Sequence, residues 1–447
     1  MKENRKAIFG WVLYDWANSA FATTILATLF PPFFRALAIR GGMSASGATS
    51  AWAFVTALSL LVAALVAPLL GAIADETGGV KRYLGAFAGL GIAATLSFTL
   101  VESAGWRWAG ALFVLADLGF AGSIVFYESL LPRIARPGDI DRVSARGYAW
   151  GYAGGGLLLA LQAVCVAKPA LIGLPDTSAA VRLAFAATAL WWALFSIPLF
   201  RRVPEPERSA TGHADAREKG RPRAITRPSV IAGWRRLRAT FHEMRRYRQL
   251  FAFLVAFWIY SDGIGTIIKM AVAYGDELGI TLNDLVGALL LTQAIGIPAS
   301  LAFGRLAGLW GARRSLLLGL GVYTLICIGG FFMANAAHFY ILAAAVGLVQ
   351  GGCQALSRSL FASLVPRGKS AEFFGFFSTS SRFAGIVGPV VFGLVGGLMG
   401  TSRLSILSLI AFFLTGGLLL TRVDLEAGRR AARELEGERS PLPGAPC

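Results

Sequence analysis

The stretch RRVPEPERSATGHADAREKGRPRAITRPSVIAGWRRLRATFHEMRRYR, Arg201–Arg248, lies at the midpoint of the chain. It is polar, rich in proline and arginine, and bounded on both sides by apolar segments of about 20 residues, the length that crosses a bilayer's hydrocarbon core. Six such segments precede it and six follow. That count predicts an all-α membrane protein of twelve transmembrane helices in two pseudo-symmetric six-helix bundles. Runs this long and continuously apolar do not alternate as barrel strands do, and a helix satisfies its own backbone in lipid.

The spans are expected at about 8–34, 51–74, 83–101, 108–131, 148–167 and 183–200, then at 250–273, 285–304, 315–335, 339–361, 383–399 and 404–421. The domains follow as 1–200, a linker at 201–248, 249–422, and a tail at 423–447. Within the linker, Pro204–Pro228 reads as disordered. From Val230 to Tyr247, Ile231, Trp234, Leu237, Phe241 and Met244 recur at helical spacing among arginines, which reads as an amphipathic helix on the membrane surface. A calmodulin-type target is the other reading of that pattern.

Of the 447 residues, 55% are hydrophobic and 15% charged, too little charge for a soluble surface. The net charge of +17 would suit a nucleic-acid binder, but its placement excludes one. Arg and Lys gather in alternate connections: Lys2, Arg5 and Lys6; Lys81 and Arg82; Arg133 to Arg146; Arg313 and Arg314; Arg367 and Lys369. Short basic connections stay in the cytoplasm, so both termini and the linker are expected inside a bacterial inner membrane. The charged start followed by Ile8–Phe34 reads as a retained first span, not a cleaved signal. Cys165, Cys327, Cys353 and Cys447 have neither metal nor redox spacing. No cofactor, metal or enzymatic activity is expected: no phosphate-binding loop appears, and no nucleophile stands with a base.

The halves repeat. Gly71-Ala-Ile-Ala-Asp75-Glu-Thr-Gly78-Gly-Val-Lys81-Arg82 matches Gly304-Arg-Leu-Ala-Gly308-Leu-Trp-Gly311-Ala-Arg313-Arg314 in glycine spacing. Gly122–Leu130 echoes Gly352–Leu360, placing Glu128 opposite Arg358, and Trp11–Asp15 echoes Phe257–Asp262. Charge inside spans is expensive, roughly 2.5–3.5 kcal/mol at mid-bilayer, so it should face protein or a wet cavity. It falls only on the first helix of each three-helix group: Asp15 in span 1, Asp117 and Glu128 in span 4, Asp262 and Lys269 in span 7, Arg358 in span 10. Asp15 with Asn18, Asp262 with Lys269, and Gln350, Gln354 and Arg358 form polar stripes at helical spacing. These three-, seven- and four-residue intervals, with the eleven between Asp117 and Glu128, predict that spans 1, 4, 7 and 10 line one cavity. Each charge has a plainer reading: Asp15 binding a loop arginine, Glu128 and Arg358 pairing as a gate, Asp262 and Lys269 neutralising each other.

Gly71–Arg82 resembles the loop signature of the major facilitator superfamily, which implies that Asp75, with Gly78, Lys81 and Arg82, helps close the cytoplasmic side. Gly304, Gly311, Arg313 and Arg314 form the second copy, where Gly308 replaces the acid. Trp11-Val-Leu-Tyr14-Asp15-Trp16-Ala-Asn18-Ser19-Ala-Phe21, Tyr260–Ile268, Gln350–Ser359 and Phe373–Pro389 resemble the vacuolar amino-acid effluxer-like, autophagy-associated family and its bacterial permease relatives. Glu128 stands where that family suggests a neutral polar residue. The resemblance implies efflux of small solutes, amino acids among them.

The expected function is therefore secondary active transport by alternating access. The substrate site would be formed by Asp15, Asn18, Asp117, Asp262, Lys269, Gln350, Gln354 and Arg358, with a proton or Na⁺ as coupling ion. The expected partners are a small solute and the bilayer, without nucleic acid, for a monomeric protein. Rival readings are a drug or sugar exporter on the same scaffold and a non-transporting receptor or assembly protein that acts through the surface helix.

Overall fold

A computed structural model of the chain describes residues 2–101, 105–205, 235, 247–277, 280, 282–383, 385, 387–399 and 402–437. The amphipathic helix expected at Val230–Tyr247 lies outside these residues apart from Arg235 and Tyr247. The described residues form helices without strands, and twelve are long and apolar enough to cross a membrane. In the first half these are α1 (Arg5–Arg40), α2 (Ser46–Asp75), α3 (Val80–Leu100), α4 (Trp106–Ile134), α5 (Ile140–Ala167) and α6 (Thr177–Arg202). In the second they are α7 (Arg248–Ile268), α8 (Asp284–Trp310), α9 (Ala312–Phe331), α10 (Ala336–Leu364), α11 (Arg367–Val395) and α12 (Arg403–Thr421). A further helix, α13 (Leu425–Gly437), follows and packs on α7 and α10.

The halves meet along two seams, α2 against α11 and α5 against α8. Glycines at matching positions permit the approach: a Cβ on Gly71 would collide with the Ala371 carbonyl, and one on Gly304 would lie 2.6 Å from the Ala145 Cβ. All the strongly basic connections fall at one end of the bundle, called the basic end below.

Two spans depart from simple helices. In α1 the stretch Phe21–Leu29 is π-helical. Pro31 and Pro32 follow it in the next turn, and without an N–H neither can continue the ordinary ladder. Thr28 Oγ1 donates to the Thr23 carbonyl at 2.7 Å, five residues back, which suits the wider turn. Span 11 corrects the sequence reading. It begins at Arg367, not near residue 383, and consists of helices Ser370–Phe383 and Val387–Met399 with an interruption between them. Ser378-Thr-Ser-Ser-Arg382 reads as a loop by hydropathy, yet it is helical because it faces polar neighbours instead of lipid. Charge is therefore not confined to spans 1, 4, 7 and 10, since Glu372 and Arg382 sit within α11.

Candidate functional site

Arg358 of α10 is buried at 2% exposure, although its charge belongs to the second half and its pocket to the first. Its Nη1 and Nη2 each donate to Asp15 Oδ2 at 3.2 Å. Its Nε donates to Ser144 Oγ and its Nη2 to the Ser144 carbonyl, both at 2.9 Å. Glu128 Oε1 stands 3.9 Å away. Aromatic faces close the remaining sides: the guanidinium lies 4.7 Å from the Trp11 ring centroid, 4.4 Å from Tyr148 and 5.7 Å from Tyr127. The cage is itself fixed, because Trp11 stacks on Tyr127 and donates from Nε1 to the Tyr127 carbonyl at 2.9 Å. Ser144 is held in turn by its Oγ donating to the Ala355 carbonyl at 2.7 Å.

Above this plug a cavity of about 450 Å³ runs between the halves. Its wall extends from Arg358 and Glu128 at the basic end to Ala27 and Leu289 towards the other. Asp15, Asn18, Gln350 and Gln354 line it as well. Asn18 is buried, and its Nδ2 has no hydrogen-bond partner among the described residues, leaving a donor for whatever enters. Asp117 stands behind the wall, accepting from Ser59 Oγ at 2.5 Å and from Arg382 Nη1 at 3.2 Å; it is Arg382 that reaches the cavity.

Asp262 is placed elsewhere. Its Oδ1 accepts the backbone N–H of Gly388 at 2.9 Å, at the interruption of α11, and it does not line the cavity, whereas its neighbour Ser261 does. The side chain of Lys269 lies outside the described residues. Sequence reasoning missed Arg382, Ser378, Ser381, Tyr148 and Gln293, all of which line the cavity. A signal existed for the first three, since Ser378, Ser381 and Arg382 share a face at i, i+3 and i+4. Tyr148 and Gln293 carry no charge and give none.

At the basic end, Asp75 Oδ2 accepts the backbone N–H of Glu372 at 2.9 Å, in the first turn of the helix opening at Ser370. Its Oδ1 lies 3.4 Å from Arg133 Nη2. Arg133 also crosses to the second half, donating to the Arg367 carbonyl at 2.9 Å and to Ser370 Oγ at 3.1 Å. Lys81 and Arg313 stay within their own halves. Lys81 Nζ donates to the Phe200 and Val203 carbonyls at 2.8 and 2.6 Å, and Arg313 Nη1 to the Val423 carbonyl at 3.1 Å. Each thus satisfies the orphan carbonyls where the last span of its half ends. Glu205 accepts the Lys81 backbone N–H at 3.2 Å, and partial burial raises its carboxyl above the usual range against the pull of that bond. Gly78 and Gly311 turn the chain at φ of +73° and +86°, where a Cβ would be strained. Arg82 and Arg314 are exposed.

Among the described residues no His, Cys, Asp and Glu cluster could hold a metal. Paired charges, amide donors and hydroxyls around a passage between two bundles can bind a small polar solute and release it, and they offer carboxylates that can take up a proton.

A family profile described as vacuole effluxer Atg22 like matches residues 3–141 and 137–433. The chain is 35% identical to the uncharacterized MFS-type transporter YxiO of Bacillus subtilis (strain 168), over 97% of this chain and 98% of that one. It is 26% identical to autophagy-related protein 22 of Eremothecium gossypii, over 96% of this chain and 93% of that one. Among solved structures, the human organic anion transporter MFSD10 (TETRAN) superposes with a TM-score of 0.65 at 15% identity, covering 93% of this chain and 99% of that one. The proton:xylose symporter XylE superposes with a TM-score of 0.66 at 14% identity, covering 98% of each. Those two likenesses establish the fold. The chain is a multi-pass membrane transporter with the major facilitator fold, and it belongs to the Atg22-like vacuole effluxer family.

Proposed function

We propose that the protein is a secondary active transporter that exports small zwitterionic solutes, amino acids among them, by alternating access coupled to protons. The basic end faces the cytoplasm of a bacterial inner membrane, and both termini lie there, as the retention of Lys- and Arg-rich connections requires.

The observation that carries this reading is Arg358, a guanidinium of one half held by carboxylates of the other beneath a polar cavity. Opening the basic end must withdraw it from Asp15 and Glu128. Breaking a buried ion pair leaves an uncompensated charge and costs about 3–5 kcal/mol. A proton taken up by Asp15 or Glu128 neutralises the carboxylate left behind, and a solute that supplies its own carboxylate compensates the freed guanidinium. Occupancy and opening are thereby linked through the same side chains. Arg382, Asn18 and Gln354 offer donors to a carboxylate, while Asp15 and Glu128 offer acceptors to an ammonium group.

The test is uptake of radiolabelled amino acids into proteoliposomes, preceded by a thermal-shift screen against amino acids, sugars and nucleosides. Flux that follows an imposed pH gradient and is abolished by Asp15→Asn, with insertion intact, is the expected result. Flux indifferent to the gradient would remove the proton coupling. Stabilisation by sugars and not by amino acids would remove the solute class.

A further inference from the structure

The two seams of the pseudo-symmetric molecule differ in one respect. Along α2 and α11, Asp75 sits between Arg133 and the start of α11. Along α5 and α8 the position equivalent to Asp75 is Gly308, and a side chain beginning there would start 3.9 Å from Arg142 Nη2. No carboxylate among the described residues is paired with an arginine there. A groove of about 430 Å³ opens at this place, lined by Arg142, Ala145 and Arg146 of α5 and by Leu301, Gly304 and Arg305 of α8. All three arginines are exposed, and none has an ion-pair or hydrogen-bond partner among the described residues. Three like charges on one groove repel unless an anion joins them.

The direction of the groove indicates what kind of anion. The exposed face of α5 runs from Arg142 and Arg146 to Trp150, then to Leu157, Leu161 and Val164, deeper in the bilayer. The exposed face of α8 runs from Arg305 to Ala302, Pro298 and Ala294. Both helices are charged at the level of lipid headgroups and apolar beneath, with bulky side chains on α5 beside small ones on α8. A free phosphate would use only the arginines. A phospholipid would also use the exposed apolar faces that continue from them.

We propose that this groove binds the phosphate of an anionic phospholipid, which bridges the two halves at the seam where the repeat has lost its carboxylate. Because Arg142 and Arg146 belong to one half and Arg305 to the other, the bound lipid favours the state in which the basic end is closed.

Native mass spectrometry of the full chain released from nanodiscs of mixed phosphatidylglycerol and phosphatidylcholine reads this without a transport substrate. The unaltered protein should retain phosphatidylglycerol in preference to phosphatidylcholine. R142Q/R146Q/R305Q should lower that retention about tenfold or more. Gly308→Asp, which places a carboxylate in the groove, should weaken retention by itself. As a change at an exposed helical position, it keeps the proposal open to refutation if the triple variant fails to insert. Equal retention in the unaltered protein and Gly308→Asp, equal retention of the two lipids, or displacement of the lipid by millimolar inorganic phosphate would each overturn the proposal.

Discussion

Arg358 makes its contacts as a fork: two nitrogens on Asp15, two on Ser144, and a flat face against three aromatic rings. A lysine ammonium keeps the charge and cannot reproduce this geometry. Arg358→Lys should therefore loosen the basic end without blocking insertion. Hydrogen exchange should rise in the amides around Ser144 and Arg358 while the far ends of the same helices stay protected; unchanged protection would show that charge alone suffices. Arg382 and Asp117 invite a different measurement. The pair is nearly buried, so removing either partner strands the other. A double-mutant cycle with Asp117→Ala and Arg382→Ala should give a coupling energy of about 1–3 kcal/mol in unfolding free energy. At this scale the sequence was partly legible. A charge within an apolar run advertises itself, which is how Asp15, Glu128 and Arg358 stood out. It does not say which neighbour it meets, and Asp262 shows the difference: a carboxylate conspicuous in the sequence supports a backbone interruption and does not line the passage.

That interruption governs α11. Gly385 lies in a turn between helices Ser370–Phe383 and Val387–Met399, and the Gly388 N–H, in the first turn of the second helix, needs an acceptor at membrane depth. Asp262 supplies it, and Gly388 is the residue that allows so close an approach, since a Cβ there would lie 2.8 Å from Asp262 Oδ1. Asp262→Ala should cost about 1–3 kcal/mol through the unsatisfied donor. Asp262→Asn retains an acceptor and should cost less, and Gly388→Ala should resemble the alanine variant. Melting temperatures of the three purified proteins check the order. Equal losses for Asn and Ala would mean that the carboxylate's charge matters more than the hydrogen bond. Most spans were legible as apolar runs, with ends a few residues adrift. Span 11 was not, because hydropathy counts a serine-rich helix facing a polar cavity as though it faced lipid.

In the whole molecule, two glycines decide how near the halves can come. Gly71 touches the backbone of α11 and Gly304 the side of α5, each at the basic end of its seam. A leucine at either position should wedge that end apart. Spin labels on opposite halves near Arg133 and Arg367 should then report longer separations in Gly71→Leu than in the parent, and an unchanged distance distribution would contradict the role given to the seam. The internal repeat made the two-bundle architecture readable from sequence. The cavity was less so, since its walls come from helices distant in the chain, and only their packing shows that Tyr148 and Gln293 line the same passage as Arg358.

Lys81 and Arg313 have a mechanical consequence. Each buckles an early helix of its half to the closing one, so either bundle is a hoop shut by its own clasp. Both clasps are made among the described residues of a single half. A gene split between residues 206 and 234 should therefore yield two polypeptides that find each other in the membrane and carry solute as the intact chain does.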